Sequence, residues 1–354
     1  MLKRVLMSLS AGLGLFLGMH AAQATPISVY GSWLCSNDGC GWGAVRDMTD
    51  FDTKNHWLID RGNGSPSVNL VVLSFVNPLK LLNKTTDANN VNGLPAGMTA
   101  AVVNYFKSKN IRVMLSIGGI TYTNDWDTAL STNPTQLGLN AAAVAQSLGV
   151  GIEIDYENSS SPNLTGLQSF VTAFRSVLPY DATGNNQSAR LTIDLGPGDR
   201  WLNDITRKAT ADWLGATPVL DYANAMVPSK QPSTSAAEAN WQEHIDGKPQ
   251  YAPPIPPLAP ARFTGSVYIT GGTRATPECA TFSSSLESST GTWVQTAAPK
   301  VGTTSGLLGY MFWAAECPST RSLCTTPPNS CQGGVGVGAT TYNVPIPMPA
   351  LNRY

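Results

Sequence analysis

Eight short runs of aliphatic and β-branched residues recur along this chain, over 27–30, 68–76, 111–117, 149–156, 190–195, 219–226, 265–270 and 306–313. Several are continuously apolar, as in Leu70-Val71-Val72-Leu73 and Val113-Met114-Leu115, instead of alternating. A strand reads that way when both faces are buried, the situation in a parallel sheet covered by helices. Helical periodicity fills several of the gaps. Over 98–109 it places Ala101, Val102, Tyr105 and Phe106 on one face, and over 164–178 it places Leu164, Leu167, Phe170, Val171, Phe174 and Leu178 on one face, with Pro179 as the stop. The segments 136–148 and 236–244 read as further helices. Eight strands with interleaved helices predict an α/β chain folded as a single (β/α)8 barrel. The alternative, an open doubly wound sheet, lacks the glycine-rich phosphate loop expected after its first strand. The proline-rich stretch 253–260 reads as an extended crossing, and no helical pattern follows Trp313, so irregular loops and a degenerate last helix are expected.

Composition narrows the class. Only 13% of the 354 residues are charged and the formal net charge is −1, so no electrostatic footprint for nucleic acid exists. Lys3 and Arg4 precede an apolar run over 5–19 that ends before Ala22-Gln23-Ala24. That is the layout of a signal peptide over 1–24, leaving 25–354 as the barrel and predicting export to the periplasm or the medium. A membrane anchor is the weaker reading, because the run is short for a bilayer and no later stretch could span one.

Beyond that segment only His56 and His244 remain, both expected on the surface or in loops; no metal and no cofactor is expected. The six cysteines behind an export signal favour disulfides. Cys35 and Cys40 flank the turn sequence Ser-Asn-Asp-Gly and are the expected local pair, whereas Cys279, Cys317, Cys324 and Cys331 could pair in three ways. A four-cysteine zinc site fits poorly, since Cys317, Cys324 and Cys331 are spaced by seven.

The chemistry concentrates in Gly149-Val-Gly-Ile-Glu-Ile-Asp-Tyr-Glu157. In a strand, Glu153, Asp155 and Glu157 leave one face while Ile152, Ile154 and Tyr156 leave the other. In a barrel that face is the interior, and the last carboxylate emerges at the C-terminal rim where active sites form. Like charges this close cannot all ionise cheaply, so one proton should be retained near neutrality, as a general acid requires.

This segment resembles the DGxDxDxE signature of glycoside hydrolase family 18, the chitinases and endo-β-N-acetylglucosaminidases. Glu153 stands where the family usually has the inner Asp, and Val150 where it has the outermost one. Leu115-Ser-Ile-Gly-Gly119 resembles the SxGG motif of the third strand. Val71-Val-Leu-Ser-Phe75 resembles the second strand with its inward Phe, and Val29-Tyr30 the first-strand Tyr. Gly309-Tyr-Met-Phe-Trp313 resembles the eighth-strand segment that ends in the Trp flooring the −1 subsite. In the sixth strand Met226 matches, while Pro228 stands where a Tyr is usual.

The resemblance implies a secreted, monomeric glycosidase acting on chitin or N-acetylglucosamine oligosaccharides by substrate-assisted retaining catalysis. Glu157 would be the general acid/base, Asp155 would orient the acetamido group, and Glu153 would share a proton with Asp155. Tyr30, Phe75, Ser116, Gly118, Gly119, Trp126, Met226 and Trp313 would line the substrate site, with Trp313 and Trp126 as sugar platforms. Trp33, Trp42, Trp57, Trp201, Trp213, Trp241 and Trp293 read as core. Two alternatives stay open: an endo-β-N-acetylglucosaminidase acting on N-glycan cores, and a non-catalytic chitinase-like lectin or inhibitor.

Overall fold

All eight of the runs form strands, and they close on themselves. The structure, a computed structural model, describes residues 27–35, 40–60, 64, 66, 68–226, 234–268, 284–313 and 315. The barrel strands are β1 (Val29–Leu34), β2 (Leu70–Val76), β5 (Arg112–Gly118), β6 (Gly151–Asp155), β7 (Leu191–Leu195), β8 (Ala223–Ala225), β9 (Phe263–Tyr268) and β10 (Gly309–Trp313). Each pairs in parallel with its neighbour in that order, and β10 returns to β1. A two-residue hairpin, β3 (Asn90–Val91) and β4 (Leu94–Pro95), sits outside the barrel. Its Asn92-Gly93 turn has positive φ at both residues, the conformation that makes Asn-Gly a hairpin signal.

The described helices are α1 (Met48–Ile59), α2 (Pro78–Asn83), α3 (Ala100–Lys107), α4 (Thr123–Thr132), α5 (Pro134–Leu148), α6 (Leu164–Val177), α7 (Asn203–Lys208), α8 (Thr234–Asp246) and α9 (Ser284–Thr296). None of them is long and apolar enough to cross a membrane. Sequence periodicity marks α3, α5, α6 and α8 but not the rest; α4 and α9 are rich in Ser and Thr, whose side chains compete with the helical backbone. In α4 the tertiary contacts of Trp126, Ala129 and Leu130, all buried on one face, override that weak propensity.

Strand alternation sorts the side chains into two layers. Residues such as Val71, Leu73, Val113, Leu115, Ile152 and Ile154 face the helices and form the main core. Val29, Leu70, Val72, Met114, Tyr222, Leu308 and Met311 fill the lumen at its N-terminal end. That end also carries a buried ion pair network, in which Asp221 pairs with Arg175 at 3.1 Å and with Arg190. The lumen therefore opens to chemistry only at the C-terminal end of the strands.

Strand β1 begins two residues later than its sequence run and extends to Leu34, which brings Trp33 into the barrel. Cys35 and Cys40 are joined by a disulfide immediately after it. His244 corrects the expectation of a surface histidine: it is fully buried, with Nδ1 2.9 Å from Asp199 and Nε2 2.8 Å from the carbonyl of Gly196, and so ties α8 to the loop after β7. The expected signal segment over 1–24, the other four cysteines, Pro228 and the region after Ala315, where the degenerate last helix is expected, fall outside the described residues.

Candidate active site

Strand β6 delivers three carboxylates to one side. Glu153 faces the lumen at mid-strand, Asp155 ends the strand, and Glu157 follows two residues later at the rim. Glu153 is fully buried and Asp155 nearly so, while Glu157 is partly exposed. Two conformational devices at the end of the neighbouring β5 shape this rim. Gly118 and Gly119 both take positive φ, at 125° and 88°. A Cβ on Gly118 would run into the backbone oxygen of Asp155 and the indole of Trp126, so only glycine lets β5 pass that close. The N–H of Gly119 donates to the Asp155 carbonyl at 3.0 Å, and the next N–H, that of Ile120, donates to the carboxyl of Glu157.

Burial dominates the electrostatics. It pushes the Glu157 carboxyl up to about 7, against the opposing pull of the Ile120 N–H. Asp155 is raised well above the usual carboxylate range by burial, then by the charges of Glu157 and Glu153. Glu153 is raised by burial, but it is the best solvated by protein: Trp33 Nε1 donates to Oε1 at 2.8 Å and Asn224 Nδ2 to Oε2 at 2.7 Å. Ser116, opposite Glu153 in the β5–β6 register, also favours its charged form.

The other expected site residues divide. Trp313 ends β10 partly exposed, with Phe75 stacked against it at 5.6 Å and 23° between planes. Phe75 in turn lies over Gly119, where a Cβ would come within 3.0 Å of its ring. Trp33 joins this group, 6.4 Å from Trp313. Met226 is half-buried just past β8, its N–H bonded to the Leu195 carbonyl at 2.8 Å.

Two residues are corrected. Tyr30 faces the helix layer, edge-on to Tyr310 and Phe312 with no exposed surface; alternation along β1 sends Trp33 inward in its place. Trp126 is fully buried and is no sugar platform. Its indole N–H bridges the carbonyls of Ile117 at 3.2 Å and Asp155 at 3.1 Å, tying β5 to β6 directly beneath the carboxylates. Trp126→Phe keeps an aromatic ring but removes that bridge and part of the indole volume; urea unfolding should show a loss of at least about 1–3 kcal/mol, and an unchanged midpoint would exclude the bridge as a stabilising element.

Three further side chains meet Glu153: Trp33, Asp194 and Asn224. Trp33 reads as core in the sequence, whereas its indole N–H donates to Glu153. Asp194 and Asn224 line the lumen beside Glu153 from β7 and β8, directly paired in register. A signal for Asp194 exists: it is the one charge in the buried run Leu191-Thr-Ile-Asp-Leu195.

No family model and no curated protein matches this chain. Among solved structures it is similar in fold to a glycoside hydrolase family 18 chitinase from Pseudoalteromonas aurantia, at 14% identity and a TM-score of 0.50, with 81% of this chain and 94% of that one covered. It is likewise similar to a chitinase from Rhizomucor miehei, at 13% identity and a TM-score of 0.52, with 80% and 94% covered. At this identity the likeness establishes the barrel architecture.

Proposed function

We propose that this chain is an exported glycosidase that hydrolyses β-1,4-linked N-acetylglucosamine oligosaccharides by the substrate-assisted retaining route, as the resemblance to family 18 implies. The observation that carries this reading is the column of carboxyls that β6 delivers to the lumen, Glu157 at the rim, Asp155 beneath it and a buried, hydrogen-bonded Glu153 below both. In this route the substrate's own acetamido oxygen attacks the anomeric carbon, so the protein need supply only an acid/base and charge stabilisation. Glu157, with its carboxyl raised to about 7, holds a proton for the leaving oxygen and then takes one from water. Asp155 has an Oδ1 atom without a hydrogen-bond partner among the described residues and accepts the acetamido N–H, opposing the positive charge that develops on the oxazolinium ion. Export is supported by the apolar N-terminal run and by the Cys35–Cys40 disulfide.

The test is hydrolysis of chitotetraose with the product anomer followed by NMR. The β-anomer is expected first. Binding of the tetrasaccharide without turnover would move the assignment to a lectin, and neither binding nor turnover would overturn the substrate class. Trp313 presents the only ring of the Trp33–Phe75–Trp313 group placed in the final position of its strand, and Trp313→Ala is expected to raise KM for chitotetraose about tenfold. An unchanged KM would remove it from the sugar-binding surface.

A further inference from the structure

Asp194 is a fourth lumen carboxyl that the acid/base scheme above does not use. It is 2% exposed, and it lies in hydrogen-bond contact with Glu153. Two ionised carboxylates cannot make such a contact, since neither has a hydrogen to give; one of the pair keeps a proton. The surrounding donors decide which. Glu153 accepts N–H groups on both oxygens, from Trp33 and from Asn224. The orientation of Asn224 is fixed from the other side, because Thr264 Oγ1 donates to its Oδ1, leaving both amide hydrogens directed at the carboxyls. Among the described residues Asp194 receives only the second of these hydrogens, and its Oδ1 has no partner. Hydrogen bonds to the charged form favour it, so the charge falls to Glu153 and the proton to Asp194.

We propose that Asp194 is a positioning residue: it keeps a proton on its bond to Glu153, holds Glu153 as the anion, and spares Asp155 a third neighbouring negative charge. Asp155 sits among Glu153, Glu157 and Asp194, and each charge there opposes its own ionisation. A neutral Asp194 lets Asp155 become the anion when positive charge develops on the sugar. Burial and the charges of Glu153 and Asp155 act in the same direction, raising Asp194 well above the usual carboxylate range. The kinetic consequence rests on the glycosidase reading; the location of the proton does not.

The experiment therefore has two arms on the full chain. In the first, kcat and KM for chitotetraose are compared for the parent, Asp194→Asn and Asp194→Ala. Asparagine is neutral and keeps a donor toward Glu153, so its kcat should stay within about threefold of the parent. Alanine removes the donor and should lower kcat by roughly 10–100-fold with little change in KM. An alanine variant as active as the parent, or an asparagine variant as impaired as alanine, overturns the proposal. In the second arm, the infrared difference spectrum between parent and Asp194→Asn is taken at mildly alkaline pH. Loss of a protonated-carboxyl C=O band is expected, and loss of a carboxylate band in its place overturns the proposal. A parent without turnover but with that band would refute the glycosidase reading and leave the proton on Asp194.

Discussion

Glu157→Gln is expected to lower kcat for chitotetraose by about 10²–10⁴-fold, the range that a positioned general acid supplies. Glutamine has the same shape and can still meet the Ile120 N–H through its amide oxygen, so the rim should keep its geometry. KM should accordingly remain within about threefold and the melting temperature should not move, separating lost proton transfer from lost structure. The pH profile gives an independent reading. Glu157 must be protonated to act as the acid, and its carboxyl is raised to about 7, so kcat/KM of the parent should hold below neutrality and fall as pH rises through that value. In the glutamine variant this alkaline limb should vanish from whatever residual rate persists. A variant with parental activity would take the acid/base role away from Glu157.

The parts of the molecule legible in the sequence are those whose pattern reports burial. The barrel strands are buried on both faces, so the runs at Leu70–Val76 and Arg112–Gly118 stand out as apolar whatever their neighbours are. The β6 carboxylates are legible for the opposite reason: charges at every second position of an otherwise apolar stretch are costly to bury and so mark a site. Helix α4 was not legible, because Thr, Asn, Asp and Ser form helices there only under the packing of Trp126 and Leu130. Nor was the choice between Tyr30 and Trp33. Both are aromatic, both are buried, and only the register of β1 against β10, which pairs Trp33 with Trp313, determines which one enters the lumen. Trp126 illustrates a further limit, since its position shortly after Gly119 suits a sugar platform equally well until its N–H is seen bridging two carbonyls. Asp194 and Asn224 meet Glu153 across strands, by pairings that no single segment displays.

Asp155→Asn should cost about 10²–10³-fold in kcat, the loss typical of removing one group aimed at developing charge. The substitution conserves volume within a lumen wall that leaves the side chain 5% exposed, so packing should survive. What it removes is the capacity to become an anion opposite the oxazolinium ion. The amide also brings hydrogens toward the site where the substrate's own acetamido N–H needs an acceptor. The same variant separates two origins for the proton on Glu157. If burial holds it, the alkaline limb of the much slower variant should stay near about 7, because the substitution leaves the burial of Glu157 unchanged. If the charge of Asp155 holds it, the limb should move down by about one unit or more once that charge is gone. The structure favours the first outcome, since burial is the dominant influence on Glu157. Parental kcat in Asp155→Asn, with the limb unmoved, would mean that the acetamido group is oriented elsewhere and that Asp155 serves the barrel's packing alone.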